Sequence, residues 1–313
     1  MTVQQTPTRP AYRPFVTRMM GKRFIAENIL RVTFGCDEFD TVGLTGLDQR
    51  VKLVIPGDDA PLGDFGQRDE TCIGSGNWYA NWRELPLEER GCMRTYTIRY
   101  PDQEQRTIDI DFVLHGDGGP ASAWVQSAEE GDELVIVAPD EQSEFSSSGS
   151  DWHPGTARRV LLAGDETAAP AIAGILEQLG PEFSVDAFIE VPDAGDVFDI
   201  KTRASASIRW IPRKDADHGA LLIDAVRQWA QGAQDVIAAA AAPVQQELDP
   251  VDVDRELLWE SPADSDGEFY AWIAGESMAI KTIRRLLVRE QGVDRKRVAF
   301  MGYWRHGQAE RQS

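Results

Sequence analysis

Residues Arg94-Thr95-Tyr96-Thr97, followed by Arg99, gather a guanidinium, a phenol and two hydroxyls in one short run. On a strand, Arg94 and Tyr96 share one face and Thr95 and Thr97 the other. A tyrosine so placed can stack on a flat heteroaromatic ring such as isoalloxazine. A neighbouring threonine hydroxyl or backbone N–H can hydrogen-bond the ring's polar edge, and Arg94 can neutralise phosphate. An ordinary half-exposed strand reads the same way, so this run alone decides nothing.

A second segment runs His115-Gly116-Asp117-Gly118-Gly119-Pro120-Ala121-Ser122-Ala123-Trp124. It reads as a strand entering glycines and then a helix, whose free N–H groups and positive dipole end suit a diphosphate. Small residues at Gly119, Ala121 and Ser122 let phosphate approach the backbone. The two segments, in this order in one half of the chain, carry more weight together than either does alone.

Three further turns lie in the second half. Leu161-Leu162-Ala163-Gly164-Asp165-Glu166-Thr167 with Pro170, and Trp272-Ile273-Ala274-Gly275-Glu276-Ser277, each place a glycine turn between a buried strand and a helix. Ligands of parallel sheets bind outside such carboxyl ends of strands. Neither turn has the G-x-G-x-x-G dinucleotide fingerprint, so any nicotinamide site here is of another kind; helix capping near Glu276 and Ser277 is the plainer reading of the second. The third, Gly302-Tyr303-Trp304-Arg305-His306-Gly307, ends a strand in aromatic and basic residues. Its aromatics, Trp304 foremost, could cover a flavin face or serve domain packing. No side-chain nucleophile or general base stands out, and no catalytic residue is assigned.

These segments need a scaffold. With 313 residues the chain can form two domains, each with its own core. A net charge of −20 argues against nucleic acid and anionic membranes as partners, because phosphate binding draws on Lys and Arg. No apolar run approaches the ~18 residues of a membrane span. Met1–Pro10 has no apolar core of a secretory signal, so the cytoplasm is the expected compartment. Cys36, Cys72 and Cys92 are widely spaced, and His115, His153, His218 and His306 are scattered, so neither a disulfide framework nor a metal site is expected. The chain is expected to act as a monomer.

Strands are predicted at Ile29–Phe34, Val51–Ile55, Thr95–Tyr100, Ile108–Leu114 and Leu134–Val137. In the fourth, Ile108, Ile110, Phe112 and Leu114 alternate with Asp109, Asp111, Val113 and His115, the period-2 pattern of a strand with one buried face. Their spacing predicts an antiparallel barrel, interrupted by a helix opened by Pro120 and ended by Gly131. The serine-rich stretch 140–156 reads as a linker. Beyond it strands at Val160–Ala163, Val185–Val191, Ile208–Ile211, Phe269–Ala274 and Val298–Tyr303 alternate with helices at Pro170–Leu179, Leu221–Trp229 and Ser277–Glu290. That alternation predicts a parallel sheet covered on both faces. The domains are expected at 12–145 and 156–307, with a helical or loose insertion at 234–267.

Taken in order, these motifs resemble the siderophore-interacting proteins, flavin-dependent ferric-siderophore reductases related to ferredoxin–NADP reductases. The resemblance spans roughly residues 12 to 307. It implies an FAD-binding β-barrel followed by an NAD(P)-binding α/β domain, with FAD as cofactor and NADH or NADPH as co-substrate. It implies that FAD is held by Arg94, Tyr96, Thr97, Asp111, His115, Gly119, Ala121 and Ser122. Asp165, Glu166, Thr167, Gly275 and Glu276 would face NAD(P)H, and Trp304 is a further cofactor-side candidate. Lys52 matches a position where the family attracts anionic siderophores, and Arg305 is a second candidate for that role. One departure is Ala138-Pro139-Asp140-Glu141, where relatives often have Gly-Pro-Arg-Gly; it puts the charge of the preferred siderophore in doubt. Two other readings stay open: a reductase serving a protein carrier or free flavin, and a non-catalytic siderophore-binding accessory. A [2Fe–2S] siderophore reductase is closed off, since no cysteine follows Cys92.

Overall fold

A computed structural model describes residues 9–307, apart from 44–45, 58–60, 115–118, 249–250, 254–255 and 264. The described chain divides into two compact units, one ending at Ser150 and the other beginning at Asp151.

The first unit is built on β1 (Tyr12–Ala26), β2 (Ile29–Gly35), β3 (Arg50–Ile55), β4 (Cys92–Asp102), β5 (Thr107–Val113) and β6 (Glu133–Pro139). They close into a barrel in the order β1-β2-β5-β4-β3-β6, with every neighbouring pair antiparallel. Closure leaves no sheet edge unpaired. Ile108, Ile110 and Phe112 point inward as their alternation predicts, meeting Phe34, Leu53, Ile98 and Ile136. Asp111 departs from the pattern. Expected on the solvent face, it is buried, because its register partner on β2 is Arg31, whose guanidinium pairs with it at 2.6 Å.

Between β3 and β4 the chain inserts α1 (Glu70–Ser75), α2 (Trp78–Glu84) and α3 (Leu87–Arg90). Phe65, Trp78 and Trp82 from this insertion pack on Val54, Met93, Val135 and Val137, a separate cluster from the barrel interior. The predicted helix is α4 (Pro120–Ser127), and it stops short of Gly131. Its end is fixed by Lys22, whose Nζ donates to the carbonyls of Val125, Gln126 and Ala128 and so satisfies the last turn. The serine-rich stretch is less free than a linker. Asp140 takes Arg9 in an ion pair at 2.5 Å, Ser143 donates to the Arg9 carbonyl, and Tyr12 donates to the Ser148 carbonyl.

The second unit carries β7 (Arg159–Gly164), α5 (Ala169–Gln178), β8 (Ser184–Val191), β9 (Ser205–Pro212), α6 (Ala220–Gly232) and α7 (Gln234–Ala240). It continues with β10 (Trp259–Glu260), β11 (Phe269–Glu276), α8 (Ser277–Arg284), extended by a π-helical turn over Arg285–Glu290, and β12 (Val298–Trp304). The sheet order is β10-β12-β11-β7-β8-β9. Five strands run parallel, and β10 adds antiparallel to β12. Leu161, Ala163, Ala271 and Ile273 pack beneath α6, α7 and α8, while Val160, Leu162 and Trp272, of opposite parity, are equally buried. Both faces are therefore covered, as parallel strands require.

The insertion expected to be helical or loose is in part built into this unit. It supplies α7 and the edge strand β10, and Val236, Ile237, Val253 and Leu258 join the core. Glu260 on β10 accepts from Arg284 on α8 at 2.5 and 3.0 Å, which fastens that edge. Among the described residues no helix is long and apolar enough to cross a membrane.

Candidate functional site

In the second unit the chain leaves β7 towards β8 and β9 on one side, and returns as β11 and β12 on the other. The switch therefore falls between β7 and β11, where open parallel sheets form a ligand crevice at their carboxyl ends. Asp165 follows β7, Glu276 ends β11 and Trp304 ends β12, so three segments far apart in sequence meet there. The Asp165 carboxylate is their junction. Its Oδ1 accepts from the backbone N–H and Oγ1 of Thr167 at 2.9 and 2.5 Å. Its Oδ2 accepts from the Glu276 N–H at 2.7 Å and from the Trp304 indole N–H at 2.8 Å.

This junction needs glycine at 275. The residue has φ +146°, and a Cβ there would lie 2.5 Å from Asp165 Oδ2. Asp165 is buried, and burial first, then the charge of Glu166, push its carboxyl up to about 7 against the pull of its hydrogen bonds. Glu276 caps α8, its Oε2 accepting from Met278 and Ala279 N–H at 2.8 and 2.9 Å.

Glu166, expected to face a nucleotide, has both oxygens engaged by Arg213, at 2.6 and 2.7 Å, with both groups buried. Glu190 Oε1 lies 4.0 Å from the same guanidinium, and Glu190 accepts from the Gly219 and Leu222 N–H groups that open α6. Burial holds the Glu190 carboxyl above its ordinary range. His218 stands 5.1 Å from the Trp304 ring and 5.5 Å from His306; burial first, and then the charge of Arg213, lower its basicity. Arg213, Glu190 and His218 were not singled out by sequence. A usable signal exists for Glu190 and Arg213, each a charge beside the apolar residues at the carboxyl end of a strand, Phe188-Ile189 and Trp210-Ile211.

In the first unit Arg94 and Tyr96 face Leu53 and Val51 across β3, and the Tyr96 ring packs 4.6 Å from Phe112. Thr97 is buried. Lys52 pairs with Thr95, its Nζ 3.2 Å from Thr95 Oγ1, and so lies on the other face of the sheet from Arg94 and Tyr96. Asp111 receives Arg31 through both oxygens at 2.6 and 2.7 Å, with Arg99 Nε at 3.6 Å. Both guanidiniums also lie over the Tyr100 ring.

At the start of α4 the first helical bond runs from Ala123 N–H to the Gly119 carbonyl. The N–H groups of Ala121 and Ser122 precede it, and Pro120 has none. Space beside Gly119 is open, and Ser122 Oγ turns inward to the Val113 carbonyl at 3.4 Å. The two helix-start N–H groups are donors that fit a phosphate of a dinucleotide such as FAD, and on β4 the Arg94 guanidinium donates from Nη1 to the Met93 carbonyl at 2.8 Å. His115 lies outside the described residues. In the second unit, Arg305 donates from Nη1 to the Val253 carbonyl at 3.0 Å.

A closed antiparallel barrel followed by a parallel-sheet unit with its crevice at the β7/β11 switch is the architecture of the ferredoxin reductase-like flavoproteins. A ferredoxin reductase from carbazole 1,9a-dioxygenase shares the fold at 14% identity and TM-score 0.56, over 94% of this chain and 71% of that one. The chain belongs to the siderophore-interacting proteins. The siderophore-interacting FAD-binding domain matches residues 18–143, and the siderophore-interacting protein model matches residues 157–307. An uncharacterized protein of Mycobacterium tuberculosis is 30% identical over 93% of this chain and 90% of its own length. Ferric vibriobactin reductase ViuB of Vibrio cholerae is 25% identical over 95% and 91%. A siderophore utilization protein from T. fusca superposes with TM-score 0.67 at 27% identity, over 97% of each chain. FAD is the cofactor that the match to the FAD-binding domain supports.

Proposed function

We propose that this protein is an FAD-dependent reductase of ferric siderophores that uses NADH or NADPH as electron donor. The observation that carries the reading is the Asp165 junction, which fixes three strand-end turns at the switch point of a sheet that follows an FAD-binding barrel. When bound, FAD supplies the redox chemistry, accepting two electrons from nicotinamide and giving them singly to Fe(III).

The protein's own part is binding and orientation. Arg94 and the N–H groups of Ala121 and Ser122 hold the diphosphate, and Tyr96 supports the ring system, braced by Phe112. Thr97 offers a hydroxyl to the ring's polar edge. Asp111 acts at one remove, as the counter-ion that holds Arg31 and Arg99 in place. In the second unit Thr167, Gly275 and Glu276 line the nucleotide crevice, and Trp304 is held there by Asp165. Glu166 works through Arg213, locking the turn rather than touching ligand. Lys52, exposed on the barrel, supplies positive charge for an anionic ferric complex, and Arg305, in the second unit, is a second candidate for that role. Iron leaves once reduced because hard oxygen donors hold Fe(II) less well than Fe(III).

A small acidic carrier protein as acceptor fits less well, since docking it calls for a basic face and the chain carries −20. Anaerobic mixing of the purified yellow protein with NADH or NADPH tests the reading. Bleaching of the flavin absorbance, then its return on adding a ferric siderophore, is expected. A flavin that neither nucleotide reduces would leave only the binding-accessory reading.

A further inference from the structure

We infer that the second unit discriminates against a 2′-phosphate, and so takes NADH in preference to NADPH. This rests on the nucleotide reading above and specifies which dinucleotide the crevice accepts.

The adenosine end of a dinucleotide bound at such a crevice meets the loops after the strands that follow the phosphate turn. Here these are the loops after β8 and β9, and the backbone joins them. Arg213 N–H donates to the Val191 carbonyl at 2.8 Å, and Lys214 N–H to the Pro192 carbonyl at 2.9 Å. The two loops therefore form one surface, reached from both strand ends.

Its charge is wrong for a phosphate monoester. After β8 come Asp193, Asp196 and Asp199, and after β9 come Asp215 and Asp217. The cations of these loops are Lys201, Arg203, Arg213 and Lys214; Lys201 and Arg203 come just before Ser205, where the chain has returned to the amino ends of the strands. Arg213 is buried, gripped through two bonds by Glu166, with Glu190 at 4.0 Å, so its charge is spent inside the unit. Lys214 is exposed, with Asp215 and Asp217 following it in the same loop, while Asp196 is buried in its own turn. Asp193 is exposed, and its N–H donates to Asp196 Oδ2 at 3.1 Å, which holds the turn.

A 2′-phosphate brings about −1.5 to −2 charges near neutral pH, and like charges placed together at an interface cost affinity. A free 2′-hydroxyl can instead donate to an aspartate such as Asp193. The same carboxylate thus favours one dinucleotide and opposes the other, which is how specificity is commonly built.

The test uses ADP-ribose and 2′-phospho-ADP-ribose, titrated calorimetrically into the FAD-loaded protein and into its Asp193→Arg variant. Neither probe carries nicotinamide, so binding is read apart from turnover. The expected result is that wild type binds ADP-ribose at least about tenfold more tightly. Asp193→Arg should shrink that ratio severalfold by tightening the phosphorylated probe. Equal or tighter binding of the phosphorylated probe by wild type would overturn the preference. A ratio that Asp193→Arg leaves unchanged would overturn its assignment to this surface. Failure of both probes to bind, with NADH still bleaching the flavin, would remove these loops from the nucleotide site. Failure of both with no bleaching would sink the nucleotide reading itself.

Discussion

Trp304 donates its indole N–H to Oδ2 of Asp165 at 2.8 Å, joining the end of the last strand to the turn after β7, 139 positions earlier in the chain. The same oxygen accepts from Glu276. The crevice thus depends on one buried carboxylate whose lone pairs are shared among three strand ends.

Gly275→Ala attacks that carboxylate directly. The added methyl would sit 2.5 Å from Asp165 Oδ2 at a backbone φ of +146°. We expect a cost of about 1–3 kcal/mol in the stability of the second unit, with nucleotide-dependent flavin reduction slowed and FAD still bound. Flavin occupancy and single-turnover reduction rates check this; unchanged reduction would remove the turn from the site.

The raised Asp165 carboxyl makes stability depend on pH. Its value is about 7 when folded against 3.8 for an ordinary aspartate. The native state therefore holds a proton that the unfolded chain releases, and this contribution is present in full below about pH 4 and lost as pH rises through 7. Asp165→Asn lacks the titration. Thermal midpoints from pH 5 to 8.5 should fall more for wild type than for the variant. Each 1 kcal/mol corresponds to about 2–4 °C for a unit of this size. Parallel curves would contradict the assignment.

Ser122→Glu tests the diphosphate site at α4. A glutamate in the first turn is compatible with the helix, since acids there suit its dipole. Its charge beside the diphosphate should nevertheless weaken FAD at least about tenfold, whereas Ser122→Gln, similar in size but neutral, should retain it better. Flavin absorbance after dialysis reports the outcome. Full occupancy in the glutamate variant would mean the diphosphate lies elsewhere.

Lys52→Ala probes substrate charge. The amine is exposed and bonded to Thr95 Oγ1, so its loss should reduce apparent affinity for an anionic ferric complex by no more than about fivefold. The loss should fade at high salt and be absent with a neutral complex. Steady-state rates with one siderophore of each kind decide, and an equal effect on both would leave Lys52 a surface residue.

Much of the fold is legible in sequence, because alternation in β5 and the strand–helix rhythm after residue 157 each follow from one face or stripe being buried. β1 is hidden by its own irregularity: register shifts at Met19/Gly21 and Phe24/Ala26 break the period over which its residues would alternate. α1 to α3 are too short to show a helical period. Asp111 is misread for a different reason. A charged residue at an outward position looks solvated until its register partner is known, and that partner, Arg31, lies 80 residues away. Glu166, which the resemblance places towards NAD(P)H, likewise has a distant partner: Arg213, 47 residues on, takes both its oxygens. Motifs along the chain mark where the site lies; which of their charges remain available depends on pairings that only the folded chain forms.

The most direct test of the central claim is the stoichiometry of iron release. Under anaerobic conditions the protein is mixed with limiting NADH, an excess of ferric siderophore and a chromogenic Fe(II) chelator. A reductase that takes electron pairs from nicotinamide and delivers them singly to iron predicts about two chelated Fe(II) per NADH oxidised. Oxidation of NADH with no Fe(II) formed, or Fe(II) formed at the same rate without the protein, would contradict it.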